Sequence, residues 1–494
     1  MNERYILVID QSTSGTKALI VDQQGSVVAR KTGSHKQIYP QSGWVEHDPI
    51  EIYESVKAAI NAIAESNQKI IDKVKALTIT NQRETVIVWD KQTGEPVYNA
   101  IVWQCRRTAS MCTFLKDKGY EEKVHSKTGL TIDPYFSATK VKWILDHISG
   151  VRERAENGGL LLGTIDSWLL WKLTKGDVHA TDVTNASRTL LFNINSLKWD
   201  DELLEIFDIP KSMLPEVRFS DDIYGFIQDS ELLIPKIPIS GVIGDSQAAL
   251  FAQRCFHKGT AKATFGTGTS VMVFTEELAD TKDGLVTSIA WGLNGEVKYA
   301  LEGIIHTTGD IIKWMKDDLT LFDDFDEAES LAAMLEDNGG VYLVPAFVGL
   351  GAPYWSPNTR AGITGISRNT NKSHIIRAGL ESIVYQVKDV IQLIYQDTNV
   401  AVKELKVDGG ATSNAFLMQF LSDVLGIKVI VSNVSELSAL GSAYLGGIGM
   451  KLWDSIEEIN QLRNEQHIFE PKMNQETREQ FYSEWKHAIH SLLI

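Results

Sequence analysis

Five short stretches carry residue types that could do chemistry together. In IPISGVIGDSQAALF, an apolar run ends on Gly244-Asp245 and a helical pattern follows, so a carboxylate stands at a strand end. Further on, TAKATF and SVMVFT flank Gly266-Thr267-Gly268, a turn of small residues whose backbone amides could face an anion. The pairing predicts that Asp245 acts on a group whose phosphate is held at Gly266–Gly268. The same residues also read as a helix cap and an ordinary hairpin. YILVIDQSTSGTKALIVD repeats the logic: Asp10 ends a strand, and Thr13, Ser14, Gly15 and Lys17 follow in a small polar loop. Hydroxyls, amides and a carboxylate suit a phosphate with a divalent cation. In KELKVDGGATSN, Asp408-Gly409-Gly410 separates a strand from a helix, where paired glycines let a ligand approach the helix N-terminus. Arg83 and Glu84 lie between the apolar runs KALTIT and VIVWD. Charges in such a place must be paired, exposed or functional.

The elements that must position these residues alternate along the chain. YILVID, KALIVD and SVVAR form a predicted β-meander, and strand–small turn–strand recurs at 260–274, which hints at two domains of related topology. HDPIEIYESVKAAINAIAES reads as a helix with Asp48 as N-cap, Pro49 at the first position and Glu51 completing a capping box. A long central helix is expected after Ser373, with Ile376, Leu380, Ile383, Val387, Val390 and Ile394 on its buried face. Trp103 alone reads as core, Lys140 as a surface residue, and the tail after about 452 as helical and without a site.

Composition narrows the class. With 494 residues, two large domains are the default, because one core rarely grows past roughly 250–300 residues. A formal net charge of −16 argues against nucleic acid and against anionic membrane surfaces as partners. Three cysteines without a CxxC pair fit a reducing compartment. Neither a signal peptide nor a membrane span is expected, since the longest uncharged run, Leu437–Met450, is Gly-rich and short; a cytoplasmic location follows. Neither a GxxxxGK[ST] P-loop nor the HRD and DFG motifs of protein kinases occur.

Together, DQSTSGTKALIVD, GDSQAA, FGTGT and VDGGATSN resemble the FGGY carbohydrate kinases, the sugar-kinase branch of the actin/hexokinase-like ATPases. Residues 135–147, YFSATKVKWILDH, match that family's first pattern, and 361–381 its second, apart from Gly379. Within the family, TNQRET, NAIVWQCRRT, TNASRTLLFNI, YALEG and VPAFVGLGAPYW are most similar to the branch that phosphorylates glycerol. The resemblance implies an α/β fold of two actin/ribonuclease-H-like domains with a substrate cleft between them. Residues 1–253 would carry the polyol, the first phosphate loop and the base. Residues 254–494 would carry the nucleotide and the second phosphate loop.

The implied reaction is ATP-dependent phosphorylation of glycerol to sn-glycerol 3-phosphate, with ATP and Mg²⁺ as cofactors and Mg-ATP held between the domains. By resemblance, Asp245 is the general base, and Asp10 with Asp245 serves Mg²⁺. Arg83, Glu84 and Tyr135 hold polyol hydroxyls and Trp103 lies against the carbon chain. Thr13, Ser14, Gly15, Lys17, Gly266 and Thr267 contact phosphates, while Gly309, Lys313, Gly410 and Asn414 contact the nucleotide. The implied partners are glycerol or a related polyol, ATP/ADP, and further copies of the chain in a homodimer or homotetramer. Some positions depart from the glycerol branch. Ser246 stands for its usual Gln, Ser270 for a Phe that walls the substrate, Lys313 for Gln, and QSTSGTK for QGTTSSR. A lost Phe predicts a larger or wetter pocket, so the alternative acceptor is another polyol or ketose of the erythritol, xylitol or xylulose type.

Overall fold

The computed structural model describes residues 3–279, 281, 284–356, 358–434, 436–462 and 466–493. The chain divides into two units. The first comprises Met1–Arg254, Ser288–Tyr299 and Glu436–Arg463; the second comprises Cys255–Thr287, Ala300–Ser435 and Asn464–Ile494. Two segments beyond residue 253, Ser288–Tyr299 and Glu436–Arg463, thus group with the first unit, where the sequence expectation places one boundary, 1–253 and 254–494.

The first sheet contains β1 (Tyr5–Gln11), β2 (Gly15–Asp22), β3 (Val27–Ser34), β4 (Val74–Asn81), β5 (Ile223–Phe226) and β6 (Pro238–Gly244), in the order β5-β6-β4-β1-β2-β3. β1, β2 and β3 pair antiparallel, β4 runs parallel to β1, β6 runs parallel to β4, and β5 pairs antiparallel with β6. β1, β4 and β6 are buried on both faces, which is why their sequences are nearly continuous apolar runs. One face packs Leu7, Ile9, Ile79 and Val242 against Ile52, Val56, Ile60 and Ile63 of α1 (Pro49–Ser66). The N-cap carboxylate of Asp48 accepts from the amides of Ile50 and Glu51. Glu51 itself turns to the amide of Lys36 instead of closing a capping box.

The opposite face explains the return of the chain. Thr78, pointing away from Leu77 and Ile79, hydrogen-bonds Ser442 at 3.0 Å, on a helix spanning Leu437–Gly449. A Cβ on Gly446 would lie 2.5 Å from Thr78 Cγ2 and 2.8 Å from Ser240 O, so only a glycine lets this helix come so close. The uncharged, Gly-rich run is thus a helix packed face-on to a sheet. Among the described residues no helix is long and apolar enough to cross a membrane.

The second sheet contains β7 (Thr260–Phe265), β8 (Thr269–Glu276), β9 (Val286–Leu293), β10 (Glu296–Ile305), β11 (Glu404–Gly409), β12 (Lys428–Ser432) and β13 (Gln466–Phe469), in the order β9-β10-β8-β7-β11-β12-β13. Here too a hairpin, β7-β8, is followed by two parallel strands, β11 and β12, and an antiparallel edge. The edge strand β13 lies in the tail that was expected to be helical alone. The 27-residue helix Lys372–Thr398 buries Ile376, Leu380, Ile383, Val387, Val390 and Ile394 as expected. Its cap is Asn371, whose side chain accepts from Ser373 N, and not Ser373.

Candidate active site

In the first unit the ends of β1, β4 and β6 carry the charged residues. β6 ends at Gly244, and Asp245 opens the helix Asp245–Ala252 as its first residue. The Asp245 carboxylate accepts from Ser246 N at 2.6 Å and meets Arg83 Nε at 3.4 Å. Arg83 Nε also lies 3.8 Å from Glu84 Oε1, and Arg83 Nη1 donates to Gln247 Oε1 at 3.2 Å. Arg83 and Glu84 are buried, at 5% and 1% exposure, whereas the Asp245 side chain is 37% exposed. Two buried charges and one accessible carboxylate thus form one cluster. Such burial is tolerable because the charges are paired. Glu84 has φ +61°, a left-handed conformation that a non-glycine residue keeps only when its surroundings hold it there.

Trp103 and Tyr135 meet edge to face with ring centroids 5.4 Å apart. Trp103 is half-buried rather than core, and its Nε1 donates to Thr13 Oγ1 at 3.0 Å. Tyr135 sits on a turn gripped by Lys140. That lysine, expected at the surface, is fully buried and donates to the carbonyls of Pro134, Tyr135 and Phe136 at 2.8, 2.6 and 2.7 Å. Burial pulls its pKa down to about 8. The three carbonyls take the place of water and of a counter-ion.

In the β1–β2 loop, Ser12 N and Oγ both donate to Gly15 O, at 2.8 and 3.0 Å, while Ser14 is exposed. Lys17 Nζ lies 4.0 Å from Asp10 Oδ2 and 2.7 Å from Glu436 Oε2; Glu436 also pairs with Arg30 at 2.6 Å. Asp10 is 7% exposed. Burial pushes its carboxyl up to about 7, Lys17 opposes, and the charges of Asp245 and Glu436 add to the rise. A carboxylate so placed gains from an added cation. Among the described residues no group of three or more His, Cys, Asp or Glu is arranged to hold a metal. Mg²⁺ does not require one, because it keeps waters and is commonly bound through one or two carboxylates plus substrate phosphates. Asp10 and Asp245 fit that description.

In the second unit the turn at 266–268 is clasped rather than open. Gly266 N donates to Gly268 O at 2.9 Å. Gly266 O accepts from Gly309 N at 3.0 Å, and Thr267 O accepts from Thr308 N and Asp310 N at 2.9 and 3.3 Å. Thr308 Oγ1 also faces both carbonyls, at 3.2 and 3.3 Å. The expected amide nest is therefore narrower: Gly266 N and Gly309 N are spent on the clasp, although Gly266 and Thr267 are both exposed. Ser270, on β8, donates to the buried Glu302 carboxylate at 2.8 Å. Lys313 is exposed. Gly410 is open, with no atom within 4 Å of a Cβ built on it. Asn414 caps the helix Ala415–Leu425, accepting from Leu417 N at 2.8 Å.

The arrangement has family counterparts along nearly the whole chain. Residues 5–252 match the N-terminal domain and residues 261–450 the C-terminal domain of the FGGY family of carbohydrate kinases. The chain belongs to the FGGY carbohydrate kinases. It is 52% identical over 488 residues to glycerol kinase 2 of Thermotoga maritima, covering 98% of each chain. It is 51% identical over 494 residues to glycerol kinase of Halothermothrix orenii, covering 100% of this chain and 99% of the other. Among solved structures, that of Plasmodium falciparum glycerol kinase with ADP superposes with a TM-score of 0.94 at 38% identity, over 99% of this chain and 98% of the other. The fold is accordingly the two-domain actin/ribonuclease-H-like ATPase fold of FGGY kinases.

Several residues of this FGGY kinase's site carried no role in the sequence reading. Glu436 anchors Lys17, Gln247 holds Arg83, and Arg188 Nε donates to Glu84 Oε1 at 2.6 Å. Only Arg188 left a signal, as the lone charge in TNASRTLLFN.

Proposed function

We propose that this FGGY kinase transfers the γ-phosphoryl group of ATP to glycerol, giving sn-glycerol 3-phosphate and ADP. The observation that carries this reading is the cluster of Arg83, Glu84 and Asp245, in a chain sharing half its residues with proteins named glycerol kinase. Arg83 and Glu84 offer donors and acceptors to adjacent hydroxyls, and Trp103 with Tyr135 supplies an apolar wall for the carbons. The terminal hydroxyl oxygen attacks the γ-phosphorus, its proton passes to the Asp245 carboxylate as the bond forms, and ADP leaves. Arg83, 3.4 Å away, holds the Asp245 carboxylate in place.

Thr13, Ser14, Lys17 and Thr267 serve the phosphates, and Gly309, Lys313, Gly410 and Asn414 line the nucleotide; the open backbone at Gly410 and the exposed Lys313 support this. Asp10 and Asp245 would hold Mg²⁺, which shields phosphate charge when bound.

One observation favours a second acceptor class. Ser270 and Glu302 make a polar pair where the glycerol branch usually carries an aromatic wall, which suits a longer polyol or a ketose. ADP release measured with glycerol, erythritol, xylitol and xylulose decides between them. Glycerol is expected to give the highest kcat/KM; if it is the poorest of the four, the glycerol reading fails and the second stands.

A further inference from the structure

The short helix Val183–Ala186 is capped by Asp182, whose buried carboxylate accepts from Thr184 N at 3.0 Å and Asn185 N at 2.8 Å. It also accepts from Thr184 Oγ1, Asn185 Nδ2 and Ser220 Oγ at 2.9, 2.8 and 2.8 Å. The groups so fixed reach toward the charged cluster. Thr184 Oγ1 accepts from Gly244 N at 2.9 Å, one residue before Asp245. Asn185 exchanges amide hydrogen bonds with Asn81 at 3.0 and 3.2 Å, at the end of β4 before Arg83. The same stretch ends on Arg188, fully buried. Its Nε donates to Glu84 Oε1 at 2.6 Å and its Nη1 to Ser288 Oγ at 2.7 Å. Its guanidinium lies 5.8 Å from the Tyr135 ring centroid and 5.1 Å from that of Phe136.

We propose that Arg188 is a positioning residue for the polyol clamp, setting Glu84 and Tyr135 before the substrate arrives. This rests on the reading above that Glu84 and Tyr135 hold the polyol. A charge as buried as that of Glu84 must be paired, and its ion pair with Arg188 at 2.6 Å fixes the carboxylate that the hydroxyls would meet. An arginine meets the geometric demand that a lysine does not. Its planar fork sends one N–H to Glu84 and another to Ser288 while its guanidinium carbon lies over two aromatic rings. Arg188 touches no reacting atom in this scheme; it acts through Glu84 and Tyr135.

The test is Arg188→Lys and Ser288→Ala in the full chain. Each is assayed with polyol varied at saturating Mg-ATP, with ATP varied at saturating polyol, and by amide hydrogen exchange without substrate. Arg188→Lys should raise the polyol KM about tenfold, and Ser288→Ala about threefold, as expected for loss or loosening of a charge-assisted hydrogen bond. The KM for ATP should stay within about twofold, since the perturbation is local. Exchange should quicken in peptides covering residues 82–86 and 133–137 while that of 10–17 is unchanged. An unchanged polyol KM with unchanged exchange overturns the proposal, as does an equal rise in both KM values, which marks general loosening. If Arg188→Lys does not fold, Ser288→Ala alone decides by the same signs. If glycerol is the poorest of the four acceptors, the glycerol reading falls and these assays run on the preferred acceptor. If it phosphorylates none of the four, the exchange measurement decides for Arg188.

Discussion

The two sheets of this kinase share a hairpin flanked by two parallel strands and an antiparallel edge, but place different chemistry at equivalent positions. In the first, Asp10 on β1 lies opposite Lys17 on β2 and Thr80 on the parallel strand β4. In the second, Thr264 on β7 lies opposite Ser270 on β8 and Asp408 on the parallel strand β11. A carboxylate–ammonium pair in one sheet thus corresponds to two hydroxyls in the other, with the acid moved to the neighbouring strand, where Asp408 accepts from Thr264 Oγ1 at 3.2 Å. The loops follow suit. The first unit presents the charges of Arg83 and Asp245 on strand ends, and the second presents a turn tied by backbone amides and the Thr308 hydroxyl. Proton transfer needs a titratable side chain, whereas a phosphate chain can be held by amides and hydroxyls. One topology has been specialised twice, by side chains on one copy and by main chain on the other.

The hardest break in that comparison is at Asp245. Asp245→Asn keeps the shape and removes the base, so kcat should fall about 10³-fold, within the 10²–10⁴ range of general acid–base contributions. The polyol KM should change far less, because Arg83 and Glu84 remain. Steady-state rates of ADP release measure both; turnover within about tenfold of wild type would show that another group takes the proton.

What the residues revealed in advance divides along the same line. The strand ends that carry Asp10, Arg83-Glu84 and Asp245 were legible because a charge at the end of an apolar run stands out. Local turns were legible too, since Gly266-Thr267-Gly268 closes its hairpin where expected. Partners supplied by distant chain were not. Nothing in LSALGSAYLGGIG says that this helix returns to the first unit, or that the preceding Glu436 holds Lys17 at 2.7 Å. Lys140 misled for a related reason. At helical spacing on a mixed helix a lysine reads as exposed, and its three carbonyl partners come from a turn whose path the pattern does not encode. The clasp of 308–310 over 266–267 was equally hidden, because it joins distant stretches of chain through main-chain amides and a single hydroxyl.

That clasp gives the next break. A Cβ at Gly309 would sit 2.4 Å from Gly266 O, so Gly309→Ala must push the two segments apart and weaken the amide bonds to Gly266 and Thr267. Overpacking of this kind costs about 1–3 kcal/mol, and about 1.4 kcal/mol corresponds to a tenfold change in an equilibrium. The KM for ATP should therefore rise roughly tenfold while the polyol KM holds. A rise in the polyol KM alone would place the clasp on the wrong side of the comparison.

A last break asks whether side chains also stand behind the main chain of the first loop. His47 is fully buried, edge to face with His35 at 4.6 Å between ring centroids. Its Nε2 lies 2.7 Å from Gln37 Oε1, and Gln37 Nε2 donates to Thr13 O at 2.7 Å. Burial, with His35 adding, lowers the His47 pKa from 6.5 to about 3. The neutral ring is thus required by the folded state. Between pH 6.5 and 3 the unfolded chain binds a proton at this position that the folded chain refuses. The stability His47 contributes is present above pH 6.5 and lost as pH falls below it. From pH 7 to pH 5 that loss is about 2 kcal/mol. His47→Gln keeps a polar group beside Gln37 and removes the titration, so its urea unfolding free energy should fall less over the same interval, by about that amount. Superimposable pH profiles for the two proteins would mean that the His47 ring takes up its proton without disturbing the first loop.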